Sequence, residues 1–209
     1  GTKHLFDMRG FWADERKDGN IWNTQKPIFR MMYNFFKRKE IQFLQRADCI
    51  VSLTNNARRE IQSWNSMHGR TLDIQVIPCC ADLELFSERG INRELREEFI
   101  REHGISRDDI VISYLGSIGT WYMLEEMLAF YKCLQNLIPK TKFLFITNDE
   151  PISVQKEAEK QGINMNNIIC VNAQRREVPT YLSLSAISIY FIKPLYSKKA
   201  SSPTKTAEI

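Results

Sequence analysis

The sequence predicts an α/β protein built on parallel sheets, and three observations carry that expectation. The stretch from Asp109 to Ile138 reads as strand, glycine turn and helix. The same alternation continues to Phe191 as β-α-β-α-β-α-β, and an earlier β-α-β unit runs from Cys49 to Ile77. Right-handed crossovers turn such a pattern into parallel sheets with helices on both faces.

The chain opens on a short strand at His4-Leu5-Phe6, followed by the charged run Asp7-Met8-Arg9-Gly10-Phe11-Trp12-Ala13-Asp14-Glu15-Arg16. Ligands of open α/β sheets bind beyond the carboxyl ends of the strands, so Asp7, Arg9 and Glu15 are candidate cleft-lining residues; a salt-bridged loop is the plainer alternative. A helix is expected from about Pro27 to Gln45, with proline in its first turn. Ile28, Met32, Phe35, Phe36 and Phe43 share a broad apolar arc interrupted by Lys39. That pattern suits packing on a sheet better than lying on an anionic membrane, although the basic Lys37-Arg38-Lys39 cluster permits a peripheral membrane contact. Cys49 to Leu53 then forms a strand, Asn55 caps a helix carrying Ala57, Ile61 and Trp64 on one face, and Ile74 to Ile77 forms the next strand. Pro78 to Phe86 breaks the pattern and reads as the link between two domains, 1–86 and 87–209, with Cys79 and Cys80 as small buried residues rather than metal ligands.

In the second half, a charged helix from Arg93 to His103 ends at Gly104 and leads into the central strand, Ile110 to Leu115. Its β-branched run fits a strand buried on both faces. Gly116 and Gly119 let the backbone turn, and the following helix, with Leu124, Leu128, Tyr131 and Ile138 on one stripe, stops at Pro139. The pattern is Gly-x-x-Gly rather than Gly-x-Gly-x-x-Gly, so the turn serves either as an anion site or as a plain connection. Strands at 143–146, 168–171 and 187–191 and helices at 151–161 and 178–184 complete the alternation. In the last eleven residues Ser202 caps and Pro203 starts a helix that sets Lys205 and Glu208 one turn apart on one face. A cation beside a helix start suits a phosphate, and a carboxylate one turn on suits ribose hydroxyls.

Composition bounds the function. With 209 residues, 43% of them hydrophobic, the chain has ample material for a core. A net charge of +4, spread along the sequence, suits an anionic ligand and gives no indication of nucleic acid. The five cysteines include no Cys-x-x-Cys pair, which points to a reduced, cytoplasmic protein. His4, His68 and His103 are scattered, so no metal site is expected.

The chain resembles the retaining, nucleotide-sugar-dependent glycosyltransferases of the GT-B fold, the large group 1 family of cell-surface polysaccharide synthesis. The resemblance rests on Ala47 to Asn55, the Ile77 to Phe86 link with Asp82 and Phe86, the Tyr114 to Gly119 turn, Val178-Pro179-Thr180-Tyr181-Leu182, and Pro203-x-Lys205-x-x-Glu208, in that order. It implies two Rossmann-like domains facing a cleft: an acceptor-side domain in 1–86 and a nucleotide-sugar-binding domain in 87–209. Gly116, Ser117, Gly119, Lys205 and Glu208 would bind a UDP- or GDP-linked sugar donor, with Glu208 on the ribose. The acceptor would be a saccharide or lipid-linked sugar, no metal or other cofactor would be required, and the protein would be cytoplasmic, with peripheral contact at the inner membrane allowed. The resemblance identifies no catalytic residue.

Two positions depart from the family pattern. Ala200 stands where a first glutamate is common, and Trp121 and Tyr122 stand where a basic residue often follows the glycine turn. The resemblance also implies that both domains are truncated and that the isolated chain transfers no sugar. Two other classes compete: a nucleotide-sugar epimerase of the same fold, and a nicotinamide- or nucleotide-binding Rossmann module. The latter lacks the fuller glycine fingerprint but has Asp149 and Glu150 after its second strand.

Overall fold

The computed structural model describes residues 1–67, 69 and 71–209; His68 lies outside the described residues. By its contacts the chain divides into two units, one of 1–80 with 193–204 and the other of 81–192 with 205–209. The first division falls six residues before the expected one at Phe86, and the return of 193–204 to the first unit has no counterpart in the sequence reading.

In the first unit the strands β1 (Leu5–Met8), β2 (Cys49–Ser52) and β3 (Ile74–Val76) form a parallel sheet in that order. Leu5 is registered on Cys49, and Ile50 on Ile74. Between β1 and β2 lie α1 (Trp12–Asp18) and α2 (Pro27–Arg46); α3 (Asn55–Ser63) joins β2 to β3. Strand positions two apart share a face, so Met8, Ile50 and Ile74 meet Leu44 of α2 and Ala57 and Ile61 of α3 in one core. Ala200 is buried in that same core.

Three expectations for this unit are corrected. Helix α1, seven residues without a clear apolar period, stands where a charged loop was expected. The apolar arc of α2 faces the core only in part: Phe43 meets Phe6 of β1 and Phe36 packs on Trp12 and Trp22, but Ile28 and Phe35 are exposed, and Glu40 and Leu44 are the buried positions. The cause is α1, whose buried Asp14 accepts hydrogen bonds from Tyr33 (2.7 Å) and Lys37 (2.9 Å), turning a polar row of α2 inward. The N-cap of α3 is Thr54, one residue before the expected Asn55, and its hydroxyl accepts from the Ala57 amide at 2.9 Å.

The second unit is a doubly covered sheet. After α4 (Arg93–Glu102) come β4 (Ile110–Leu115), α5 (Leu124–Leu137), β5 (Thr141–Ile146), α6 (Ile152–Lys160), β6 (Ile168–Val171), α7 (Val178–Leu182) and β7 (Ile187–Ser188). All four strands are parallel, in the order β6-β5-β4-β7. Alternation along β4 separates two cores. Ile112 and Tyr114 face Met127, Leu128 and Tyr131 of α5 with Val154 and Ala158 of α6, while Val111 and Leu115 face Phe99 of α4 with Val178 and Tyr181 of α7. Strand order turns back between β4 and β7, which makes the loops at their carboxyl ends the expected ligand position of such a sheet. Strand β7 is shorter than the expected 187–191, and Tyr190 and Phe191 pass into that loop region.

Candidate functional site

The turn after β4 is built from positive-φ backbone. Gly116 has φ +117° and Gly119 φ +122°, conformations that a side chain rarely adopts. The Gly116 amide donates to the Ile146 carbonyl at 2.9 Å. The Ile118 amide donates to the Asp149 carboxylate, and the Tyr114 hydroxyl donates to the Ser117 carbonyl at 2.5 Å. Asp149 is therefore committed to the glycine turn, where it caps an amide.

Lys205 and Glu208 belong to α8 (Lys205–Glu208), the last element. Both are buried, each 8% exposed. The helix begins at Lys205 rather than at the expected Pro203, so Ser202 lies too far before it to be its cap, and its hydroxyl accepts from the Cys79 amide at 3.4 Å. Cys79 is half-buried and Cys80 exposed, against the expectation that both would be buried.

The Lys205 Nζ has no hydrogen-bond partner, and it is the one buried cation so placed among the described residues. It packs so closely on Gly116 that a Cβ there would stand 2.7 Å from it. Burial lowers the Lys205 pKa to about 8, a shift that the charge of Glu208 partly offsets.

Arg175, which follows β6, escaped the sequence reading. Its guanidinium donates to Glu208 Oε1 at 2.5 Å and lies over the Phe86 ring, 4.7 Å from the centroid. It also helps to line a cavity of about 220 Å³ at the carboxyl ends of β4, β5 and β6, together with Gly116, Ser117, Thr147, Asn148 and Val178. The carboxylate of Glu208 has about four acceptor positions, and Arg175 occupies one of them. The usable signal was the basic pair Arg175-Arg176 directly after a strand end. Of the linker residues, Asp82 accepts from the Glu84 and Leu85 amides, both at 3.1 Å, and Phe86 supplies the ring under Arg175.

In the first unit, Asp7, Arg9 and Glu15 line one cavity of about 300 Å³ at the carboxyl end of β1, with Gly10, Trp12 and Phe43. Arg9 donates to Asp7 at 3.0 Å, so the salt-bridged alternative also has its pair. Glu15 accepts from Lys198 at 3.0 Å. Among the described residues no three His, Cys, Asp or Glu side chains gather as a metal site, and no helix is long and apolar enough to cross a membrane.

No protein-family model and no curated protein matches this sequence. Solved structures do match. The trehalose-6-phosphate synthase OtsA is 14% identical with a TM-score of 0.59, covering 94% of this chain and 48% of its own. An α,α-trehalose-phosphate synthase (UDP-forming) from Burkholderia xenovorans, solved with glucose-6-phosphate, is 12% identical with a TM-score of 0.57, over 90% and 47%. WaaG, a glycosyltransferase involved in lipopolysaccharide biosynthesis, is 16% identical with a TM-score of 0.52, over 70% and 38%. The chain thus spans less than half the length of each. Its α/β fold of Rossmann-like parallel sheets is that of the GT-B glycosyltransferases.

Proposed function

We propose that this chain carries the donor site and part of the acceptor side of a retaining glycosyltransferase that uses a nucleotide-sugar donor. The observation that carries the reading is the buried Lys205 ammonium without a partner, set against Gly116 at the turn of the sheet order. A buried cation without an anion is costly, and a site that receives a diphosphate removes that cost. In this reading Lys205 meets a donor phosphate, with the Ser117 and Gly119 amides as further donors. Glu208, oriented by Arg175, accepts from the ribose hydroxyls, and the cavity at Thr147 and Asn148 receives the base of UDP or GDP.

Stabilising the leaving diphosphate is an electrostatic task, and a preorganised cation with aimed amides performs it without reorganising during transfer. The acceptor, a saccharide or lipid-linked sugar of polysaccharide synthesis, is assigned to the first unit near Asp7, Arg9 and Glu15. Exposed Ile28, Met31 and Phe35 on α2, with Lys26, Arg30 and Lys39, support peripheral contact of a cytoplasmic enzyme with an anionic leaflet. An epimerase of this fold would need acid and base carboxylates at the donor sugar, and Ala200, where the family often has a glutamate, supplies none. In the nicotinamide reading Glu150 remains as the candidate ribose acid, since Asp149 accepts from the Ile118 amide, and the titration below separates the two readings.

Calorimetric titration of UDP, GDP, ADP and NAD into the protein tests the proposal. Binding of UDP or GDP, weakened roughly tenfold to a hundredfold in Lys205→Ala and in Glu208→Ala, is expected, since a hydrogen bond to a charged group contributes about 1.5–3 kcal/mol. Preference for NAD, or equal affinities in all three proteins, would contradict it.

A further inference from the structure

Three tyrosine rings stand where hydrogen-bond partners of Lys205 would be expected. Its Nζ lies 3.8 Å from the ring centroid of Tyr122, 4.5 Å from Tyr114 and 5.6 Å from Tyr190. Ring faces carry negative potential, so an ammonium among them is attracted without being neutralised.

Each ring is held from its own side. Tyr114 is fully buried and its hydroxyl is tied to the Ser117 carbonyl. The Tyr122 amide donates to the Gly119 carbonyl at 2.9 Å, and Tyr122 bridges to Ile192. The Tyr190 hydroxyl shares a 2.6 Å hydrogen bond with Thr206, the residue after the lysine. The charged groups around the cage have other partners: Glu208 is paired with Arg175, and Asp149 is bound to the Ile118 amide.

We infer that Tyr114, Tyr122 and Tyr190 are positioning residues that cage the Lys205 ammonium against Gly116 without a hydrogen-bonded carboxylate, so that a phosphate at this turn meets a cation with no ion pair to break. The inference rests on the reading of Lys205 as a phosphate ligand, and it assigns Tyr122 a role at the position where the family often has a basic residue. A carboxylate partner would have to give up an ion pair before phosphate could bind; here the enclosed Nζ is reached when a ring swings aside, with no ion pair broken. The cage also explains why burial dominates the lysine's titration, since rings exclude water but supply no charge.

The test follows the Lys205 side chain by NMR against pH in the wild type, Tyr122→Phe and Tyr122→Ala, with inorganic pyrophosphate titrated into each. The expected result is a midpoint near 8 for the wild type and Tyr122→Phe, and one higher by ~1 unit or more in Tyr122→Ala, where water reaches the ammonium. Pyrophosphate should bind Tyr122→Phe within about twofold of the wild type and Tyr122→Ala roughly three- to tenfold more weakly. A wild-type midpoint in Tyr122→Ala, or a phenylalanine variant as impaired as the alanine one, overturns the cage. If the midpoint follows the ring but neither pyrophosphate nor UDP binds the wild type, the cage stands and the phosphate reading fails.

Discussion

Each unit draws a lysine inward, Lys37 half-buried in the first and Lys205 buried in the second, and they treat it in opposite ways. In the first, Lys37 reaches Asp14 at 2.9 Å and also bonds Glu40, with the Trp64 ring 4.4 Å from its Nζ. Burial alone would lower its pKa, but Glu40 and Asp14 outweigh burial and the net shift is upward. In the second, Lys205 has rings and no hydrogen-bonding anion, burial wins, and its pKa falls to about 8. A buried cation matched by carboxylates completes a fold; one left unmatched keeps its charge for something that arrives.

That contrast can be broken most forcefully at Lys37. Lys37→Met leaves Asp14 and Glu40 buried without their cation and should cost about 3 kcal/mol of stability, read as a lower urea midpoint of the first unit. Pyrophosphate and UDP affinity in the second unit should be unchanged. A small loss would mean that the cluster is solvated and the comparison false.

Gly116→Ala should act in the other direction. A methyl group 2.7 Å from Lys205 Nζ, on backbone at φ +117°, must move the lysine. Nucleotide affinity should fall at least as far as in Lys205→Ala, with more than about 1 kcal/mol lost in stability from the backbone. Normal UDP binding by this variant would detach the turn from the lysine.

Stability against pH sharpens the comparison further. The Lys205 pKa is lowered on folding from an ordinary 10.5 to about 8, so between those values the unfolded chain binds more protons and stability rises with pH. Lys205→Met should therefore be more stable than the wild type below pH 8, by on the order of 2 kcal/mol, and the gap should narrow as pH rises to about 10.5. A pH-independent gap would mean that the ammonium is hydrated. The smallest effect belongs to an exposed pair: Lys140→Ala, which removes a 2.8 Å bridge to Asp108, should change stability by less than about 1 kcal/mol.

The elements of the second unit were legible because its strands are buried on both faces and its helices carry one stripe each. Ile110 to Leu115 and Leu124 to Leu137 need only local pattern to be found. Helix α1 was not legible, because Trp-Ala-Asp-Glu-Arg-Lys-Asp has no apolar period, and its inward Asp14 then decided which side of α2 faces the core. Lys205 and Glu208 were named from a cap-like start and their spacing, but not their burial, which depends on groups far along the chain. Arg175 lies 33 residues before Glu208, and no periodicity links a loop arginine to a helix carboxylate. Tyr122 was visible only as a departure from a family pattern, and its ring over the lysine required the folded turn.

Whether the caged ammonium receives a phosphate can be read from the protons that binding takes up. Calorimetric titration of UDP at pH 8, repeated in buffers of different ionisation enthalpy, measures the protons that binding takes up. With a lysine near half-protonated in the free protein and charged in the complex, uptake should be roughly half a proton in the wild type and close to none in Lys205→Ala. Binding of UDP to the wild type without proton uptake, or with the same uptake in Lys205→Ala, would contradict it.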